Sequence, residues 1–303
     1  MAVPTAPAFV PGPVTLEVPA TSANLGPGFD CLGLALDLHD RLTAEVVPGG
    51  LEIEVVGEGA STLPRDERHL VVKAMRAAFA VLGVTPPGLR LRFENRIPQS
   101  RGLGSSSAAI VGGIALANAL VDERLRFDEG VALGLANGLE GHPDNVAPAL
   151  LGGFVVCGQA QDEVWATPAP IDPSISAIAF VPPTGVSTEA ARGLLPAQVD
   201  HQVAAANTGR AALLVAALGG EVDRLLRGTE DFLHQEYRSS AMPDSFALVQ
   251  RLRAEGSAAF ISGAGPTVLV LTADGSDLTD RCPPGWVARR LAVDHQGVRV
   301  VAP

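Results

Sequence analysis

The sequence is short of lysine, of aromatic residues and of cysteine, and each shortage excludes something. Of 22 basic residues only Lys73 is a lysine, and it is followed by Ala-Met. A P-loop needs Gly-Lys-Ser/Thr, so that mode of phosphate binding is absent. The strand lysine, His-Arg-Asp and Asp-Phe-Gly of protein kinases are absent too. Any phosphate chemistry here must use backbone N–H groups, a metal and arginine. Aromatic residues make up 4% against 47% hydrophobic, so the core is aliphatic. Cys31, Cys157 and Cys282 are widely spaced with no CxxC pair, which excludes a disulfide framework or zinc site and fits a reducing cytosol. No apolar run reaches the ~20 residues of a membrane span, and the N-terminus lacks the basic start of a signal peptide. These features point to a soluble cytoplasmic protein. The net charge of −11 argues against nucleic acid or a membrane surface, but not against a small anion in a locally positive pocket.

The length of 303 residues predicts two domains. Four prolines in the first 13 residues read as a loose arm. Apolar alternation predicts a strand at 14–18 ending at Pro19, a hairpin of 43–47 with 51–56, and a strand at 89–93. Helices are expected at 68–82, 106–121 and 127–139, with Gly112 and Gly113 packing the second of these closely on a sheet. A strand is expected at 150–156. The polar, proline-bearing stretch 159–173 marks the domain change, placed at 160/161. Beyond it, strands at 177–181, 258–261 and 268–271 and helices at 188–194, 203–218 and 246–254 mix without a βαβ rhythm, which favours an α+β class.

The richest segment is PQSRGLGSSSAA at 98–109, between a strand and the most apolar helix. Gly102 and Gly104 admit backbone conformations and close approaches that a Cβ would block. Ser105, Ser106 and Ser107 then open the helix, where free N–H groups and the dipole favour an anion. A serine hydroxyl there can also reach a magnesium ion held by phosphates. Gly-x-Gly-Ser alone fits a serine N-cap equally well; the whole run is more specific. At 19–30, PATSANLGPGFD places Asn24 and Asp30 around a turn, either as turn caps or as acceptors for an ammonium group. EGHPDNVAP at 140–148 crowds Glu140, His142, Asp144 and Asn145 together, as a solvated helix end capped by His142 or as a polar pocket. SGAGPT at 262–267 is a tight glycine turn. Arg192 lies one helical turn after Thr188 and faces the same side. Arg192 and Arg238 are either surface arginines or a bidentate hold on a carboxylate.

In their order along the chain, 19–30, 98–109 and 262–267 resemble the three motifs of the GHMP kinases, the family of galacto-, homoserine, mevalonate and phosphomevalonate kinases. SANLGPGFD, EGHPDNVAP and STEAAR (187–192) are similar in particular to members acting on L-homoserine. The resemblance implies an α+β, two-domain GHMP kinase fold. Its N-terminal ATP-binding domain (1–160) would be of the ribosomal S5 domain 2-like type, and its C-terminal domain (161–303) a ferredoxin-like α/β sandwich. It implies Mg2+- and ATP-dependent phosphorylation of the L-homoserine hydroxyl to O-phospho-L-homoserine, a step toward threonine, by a homodimer. ATP would lie on Pro98, Gln99, Ser100, Arg101, Gly102, Leu103, Gly104, Ser105, Ser106, Ser107 and Ala108. Magnesium would be held by Ser106 and Glu140. Homoserine would be bound by Asn24 and Asp30 at its ammonium group, by Thr188, Arg192 and Arg238 at its carboxylate side, and by His142 and Asn145 near the hydroxyl. Glu140, His142 and Asn145 would be the catalytic set, the last in place of an aspartate base, since a loose phosphoryl transition state hardly needs one. The SGAGPT turn would lie against the phosphate loop.

Ser107 stands where many members have alanine, which leaves open which serine ligates the metal. A kinase of another alcohol such as mevalonate would not need Asp30 with Arg192 and Arg238. A non-catalytic binding protein on the same fold would not need Glu140 and the serines. His39, His69, His201, His234 and His295 show no metal spacing and read as structural or surface residues.

Overall fold

The computed structural model describes residues 8–161 and 163–302. The first part runs β1 (Val14–Asn24), β2 (Gly28–Val46), β3 (Gly50–Gly57), α1 (Leu70–Leu82), β4 (Gly88–Asn95), α2 (Ser105–Leu120), α3 (Glu129–Glu140), α4 (Pro143–Leu151), β5 (Phe154–Ala160) and β6 (Glu163–Ala169). The second runs β7 (Ser176–Val181), α5 (Thr188–Gly193), α6 (His201–Leu218), α7 (Leu225–Gly228), α8 (Pro243–Ala254), β8 (Ala258–Ile261), β9 (Val268–Thr272), β10 (Val287–Leu291) and β11 (Arg299–Val301). The larger sheet has the order β11-β1-β2-β4-β3, with β5 sharing the edge of β2 that β4 leaves free and β6 beyond it. The smaller sheet, β10-β7-β9-β8, is antiparallel throughout.

Helix α2 lies on the large sheet and is apolar on nearly every side, with Ile110, Val111, Ile114, Leu116, Ala117 and Leu120 all buried. A Cβ on Gly112 would meet Leu42 of the sheet at 2.3 Å, but one on Gly113 would meet the Val71 carbonyl of α1 at 2.5 Å. The two glycines therefore admit a strand on one side and a helix on the other. The second core packs Leu248, Val249 and Leu252 of α8 on Ile178, Phe180, Ala259, Ile261, Val268 and Val270 of the small sheet.

Several expectations are corrected. The expected hairpin of β2 with β3 does not form, because β4 lies between them and pairs parallel with β3. The reason lies on the solvent face, where Arg90 of β4 reaches Glu45 of β2 at 3.1 Å and Glu52 of β3 at 2.8 Å, and Arg92 reaches Glu54 at 2.6 Å. Opposite charges across neighbouring strands favour this register, with Arg90 opposite Glu45 and Glu52 and Arg92 opposite Glu54. β1 does not stop at Pro19; it continues through a register shift between Pro19 and Ala20, and bulges are where sheets tolerate proline. Residues 150–156 are not one strand: α4 fills 143–151, started by Pro143 in its first turn. Pro148 leaves the Asp144 carbonyl without its helical donor. Gly33 makes room there, since a Cβ on it would lie 2.0 Å from that oxygen. Position 160/161 falls inside the β5–β6 hairpin of the large sheet, so the change of sheet comes between Ala169 and Ser176, and β11 returns to pair with β1. Of the expected arm, residues 1–7 lie outside the described residues. Phe9 is bridged to Val121 and meets the Phe79 ring edge-on at 6.1 Å.

Candidate active site

The centre of the site is the start of α2. Gly104 is its N-cap in the left-handed region (φ 68°), where a Cβ would lie 1.9 Å from Thr21 Oγ1. The helical ladder begins with Ala108 N–H donating to the Gly104 carbonyl at 2.8 Å, so the amides of Ser105, Ser106 and Ser107 are the open donors of the first turn. No serine caps this helix. A Cβ on Gly102 would lie 2.2 Å from the Ser262 carbonyl oxygen. The Ser262 hydroxyl in turn donates to the Gly102 carbonyl at 2.6 Å, which seats the 262–267 turn on the loop.

Glu140, the last residue of α3, closes one side. Its Oε2 accepts from Ser106 Oγ at 2.8 Å and its Oε1 from Ser107 Oγ at 2.9 Å, so both serines face one carboxylate. Two residues later His142 is the N-cap of α4 rather than a C-cap, and its Nδ1 lies 3.0 Å from Asp144 Oδ1. Burial disfavours the His142 imidazolium, but the hydrogen bond and charge of Asp144 outweigh it and leave the pKa raised. Asn145 accepts from Thr21 Oγ1 through Oδ1 at 2.7 Å, which leaves its amide donors to the cleft.

The second half contributes Thr188, Arg192, Arg238 and the Gly263 turn to the same open cleft, of about 130 Å³. Arg238 is buried, 2% exposed. Its Nε donates to the Ala191 carbonyl at 3.3 Å, and Nη1 lies 3.4 Å from the Gly263 carbonyl and 3.2 Å from His234 Nδ1. Among the described residues no carboxylate lies within ion-pair distance of it. Burial, helped by the Arg192 charge, lowers its pKa. Arg192 forms a two-bond pair with Asp30, Nη1 to Oδ2 at 3.0 Å and Nη2 to Oδ1 at 2.5 Å, which raises the Arg192 pKa. Both arginines lie over the Phe29 ring, each guanidinium carbon 5.3 Å from its centroid, a cation–π distance.

Three expected contacts differ. Asp30 does not line the cleft; its carboxylate faces Arg192 instead. Asn24 lines the cleft, yet Oδ1 accepts the Asp30 amide at 3.0 Å and Nδ2 donates to the Gly263 carbonyl at 2.9 Å. Both residues have positive φ, 67° and 56°, a conformation that Asn and Asp tolerate better than most, so they do shape the turn. Arg101 points away from the loop amides: its guanidinium donates to the carbonyls of Pro182, Gln99 and Pro183 at 3.1, 2.8 and 2.5 Å. Leu103 and Ala108 are buried packing residues. Pro98 and Gln99 lie outside this cleft, whereas Ser100 lines it.

Sequence reasoning gives no role to Thr21 and Phe29 and reads His234 as structural or surface. Only His234 carried a usable signal, its position four residues before Arg238 on one turn of chain. It also passed over a second, more apolar cavity of about 200 Å³, bounded by Ser100, Ser105, Ser106, Leu63, Ile97 and His69. There His69 Nδ1 accepts from the Val71 amide at 3.2 Å, and its buried Nε2 has no partner.

The chain matches the family model for the GHMP kinases N terminal domain over residues 69–153 and that for the GHMP kinases C terminal over 212–280. It is 52% identical over 298 residues to a homoserine kinase of Streptomyces coelicolor, covering 97% of this chain and 96% of that one. A homoserine kinase of Streptomyces avermitilis is 53% identical over 301 residues, covering 97% and 98%. The crystal structure of homoserine kinase from Cytophaga hutchinsonii superposes with a TM-score of 0.83 at 26% identity, covering 99% of this chain and 100% of that one.

Proposed function

This chain belongs to the GHMP kinase family and is an ATP-dependent kinase of homoserine, and we propose that the cleft between the start of α2, α4 and Arg238 is where the phosphoryl group is transferred. The observation that carries this is Arg238, a buried guanidinium in the cleft wall with no carboxylate partner among the described residues. Burying such a charge costs several kcal/mol unless an anion meets it, and the substrate carboxylate is that anion. Arg192, beside it, offers a second planar donor face. L-Homoserine arrives as a zwitterion: its carboxylate replaces Asp30 on Arg192, and Asp30, released, accepts the ammonium group next to Asn24. One internal ion pair is thereby exchanged for two with the substrate. Thr188 and His142 complete the walls.

ATP phosphates rest on the open amides of Ser105, Ser106 and Ser107, with Gly102 and Gly104 giving the backbone close approach. The apolar cavity behind Ser105 and Ser106 takes the nucleotide base. Glu140 with Ser106 and Ser107 is an oxygen-only set with a single carboxylate, which fits magnesium with room left for phosphate oxygens and water. When bound, the ion neutralises charge on the phosphates. Asn145, with Oδ1 tied to Thr21, donates its amide N–H to the substrate hydroxyl oxygen and fixes its direction. That oxygen bonds to the γ-phosphorus as the bond to the ADP oxygen breaks, and the hydroxyl proton passes to a phosphoryl oxygen. Positioning and charge stabilisation carry the step.

An ADP-release assay across L-homoserine, L-serine, L-threonine, mevalonate and shikimate tests this. Turnover confined to homoserine is expected. Turnover of mevalonate but not homoserine overturns the substrate assignment, and ATP binding without turnover of any of them marks a binding protein. Among the described residues no helix is long and apolar enough to cross a membrane. We place the enzyme in the cytoplasm as a homodimer, for which light scattering should return twice the 31.1 kDa chain mass.

A further inference from the structure

His234 is fully buried and sits one turn of chain before Arg238. Its Nε2 lies 2.7 Å from the Gly26 carbonyl oxygen, and its Nδ1 lies 3.2 Å from Arg238 Nη1. A carbonyl only accepts and a guanidinium only donates. Nε2 therefore carries the proton, Nδ1 presents a lone pair, and the ring is neutral. Burial favours that form, with the Asp231 carboxylate opposing it and the Arg238 charge reinforcing it.

The two ends of this bridge are not equivalent. Gly26 is in the hairpin tip that leads to Phe29 and Asp30, and that tip has another anchor, Asn207 Nδ2 donating to the Pro27 carbonyl at 2.7 Å. Arg238 is held by three long contacts, His234 Nδ1 at 3.2 Å and the carbonyls of Ala191 and Gly263 at 3.3 and 3.4 Å, of which His234 is the one side-chain acceptor among the described residues. The hairpin thus keeps a short anchor apart from His234, whereas the guanidinium has only long ones and loses one of its three without the His234 acceptor. The imidazole also lies 5.4 Å from the Phe29 ring that both arginines face.

We propose that His234 is a positioning residue for phosphoryl transfer: bridging Gly26 and Arg238, it aims the buried guanidinium at the substrate carboxylate. This rests on the reading of Arg238 as the carboxylate ligand. Two isosteric substitutions separate the ends of the bridge, since an asparagine side chain places its oxygen near the Nδ1 position and a glutamine its N–H near Nε2. His234→Asn keeps the acceptor for Arg238, and His234→Gln keeps the donor to Gly26. The experiment measures KM for homoserine, KM for ATP, kcat, and inhibition by 3-aminopropan-1-ol, which lacks the carboxylate. Arg238→Met is run beside them, with a melting curve for each variant.

H234Q is expected to raise the homoserine KM about tenfold or more, while H234N stays within about threefold of the parent. ATP KM and inhibition by 3-aminopropan-1-ol should be unchanged in both. Equal losses in the two variants, a larger loss in H234N, or failure of both to fold would overturn the proposal. R238M with an unchanged homoserine KM would instead overturn the carboxylate reading on which it rests.

Discussion

Arg192 and Asp30 meet through two parallel bonds, Nη1 to Oδ2 at 3.0 Å and Nη2 to Oδ1 at 2.5 Å, at the rim of a cleft that also holds the buried Arg238. The pair is half-buried, so its charges are only partly screened, and a zwitterion can compete for both members. Asp30→Asn keeps the side-chain size and a residue tolerant of the left-handed backbone, and removes the charge. The homoserine KM should rise by about tenfold or more, the scale of a lost charge-assisted hydrogen bond, with ATP KM within about twofold. An unchanged homoserine KM would reduce Asp30 to a turn-forming residue.

Glu140 accepts from both Ser106 and Ser107, at 2.8 and 2.9 Å. Glu140→Gln should lower kcat by about 10²-fold or more, the scale of removing one strong electrostatic group. It should also raise the magnesium concentration needed for half-maximal rate at fixed ATP. Ser106→Ala and Ser107→Ala divide the remaining role. Whichever substitution shifts the magnesium titration has removed the ligand, and the other should change it by less than about threefold. A Glu140→Gln enzyme with an unaltered magnesium titration would take the carboxylate out of the metal site.

Much of this site was legible because its chemistry is local. The glycines and serines of 102–107 define a helix start by themselves, and 140–148 visibly crowds Glu140, His142, Asp144 and Asn145, although the place of Glu140 against Ser106 and Ser107 needs the fold. What stayed hidden depends on distant partners. Arg101 is consumed by carbonyls of Pro182 and Pro183, some 80 residues away, and His234 by Gly26, 208 residues away. Helix α4 was obscured by Pro143 and Pro148, which argue against a helix until Gly33 is seen making room at the Asp144 carbonyl. The place of β4 between β2 and β3 sets Arg90 against glutamates of both neighbours and Arg92 against Glu54 of β3, which alternation along one strand does not reveal.

Asp144 is the carboxylate that most resembles a general base, yet it is buried and hydrogen-bonded to His142 at 3.0 Å. If positioning suffices, Asp144→Asn retains substantial activity. A fall of more than about 10³-fold, the scale of a removed base, would show that Asp144 takes the proton. The same variant has a second readout. Asp144 is what holds the His142 pKa above its ordinary value against burial. Without the charge, burial and the Arg192 charge act against less opposition, and any limb of the pH–rate profile set by His142 should move to lower pH.

Asp40 yields a stability prediction whose sign is opposite to that of most carboxylates. Its Oδ1 accepts the amides of Arg96 and Ile97 at 2.6 and 2.9 Å, fixing the chain as it leaves β4 for the phosphate loop. Burial nonetheless outweighs those bonds and pushes its carboxyl up to about 6 from 3.8. Below the unfolded value both states hold the proton and pH has no effect through this group. Between about pH 4 and 6 the native state keeps a proton that the unfolded chain has lost, so stability falls as pH rises. Above that window a constant penalty remains, on the order of 3 kcal/mol. Asp40→Asn retains an oxygen acceptor for both amides and cannot ionise. Urea denaturation should find it more stable than the parent at pH 8, by on the order of 1 kcal/mol, with the advantage gone near pH 4. An equal difference at both pH values would mean that Asp40 titrates in the folded protein as it does in the unfolded chain.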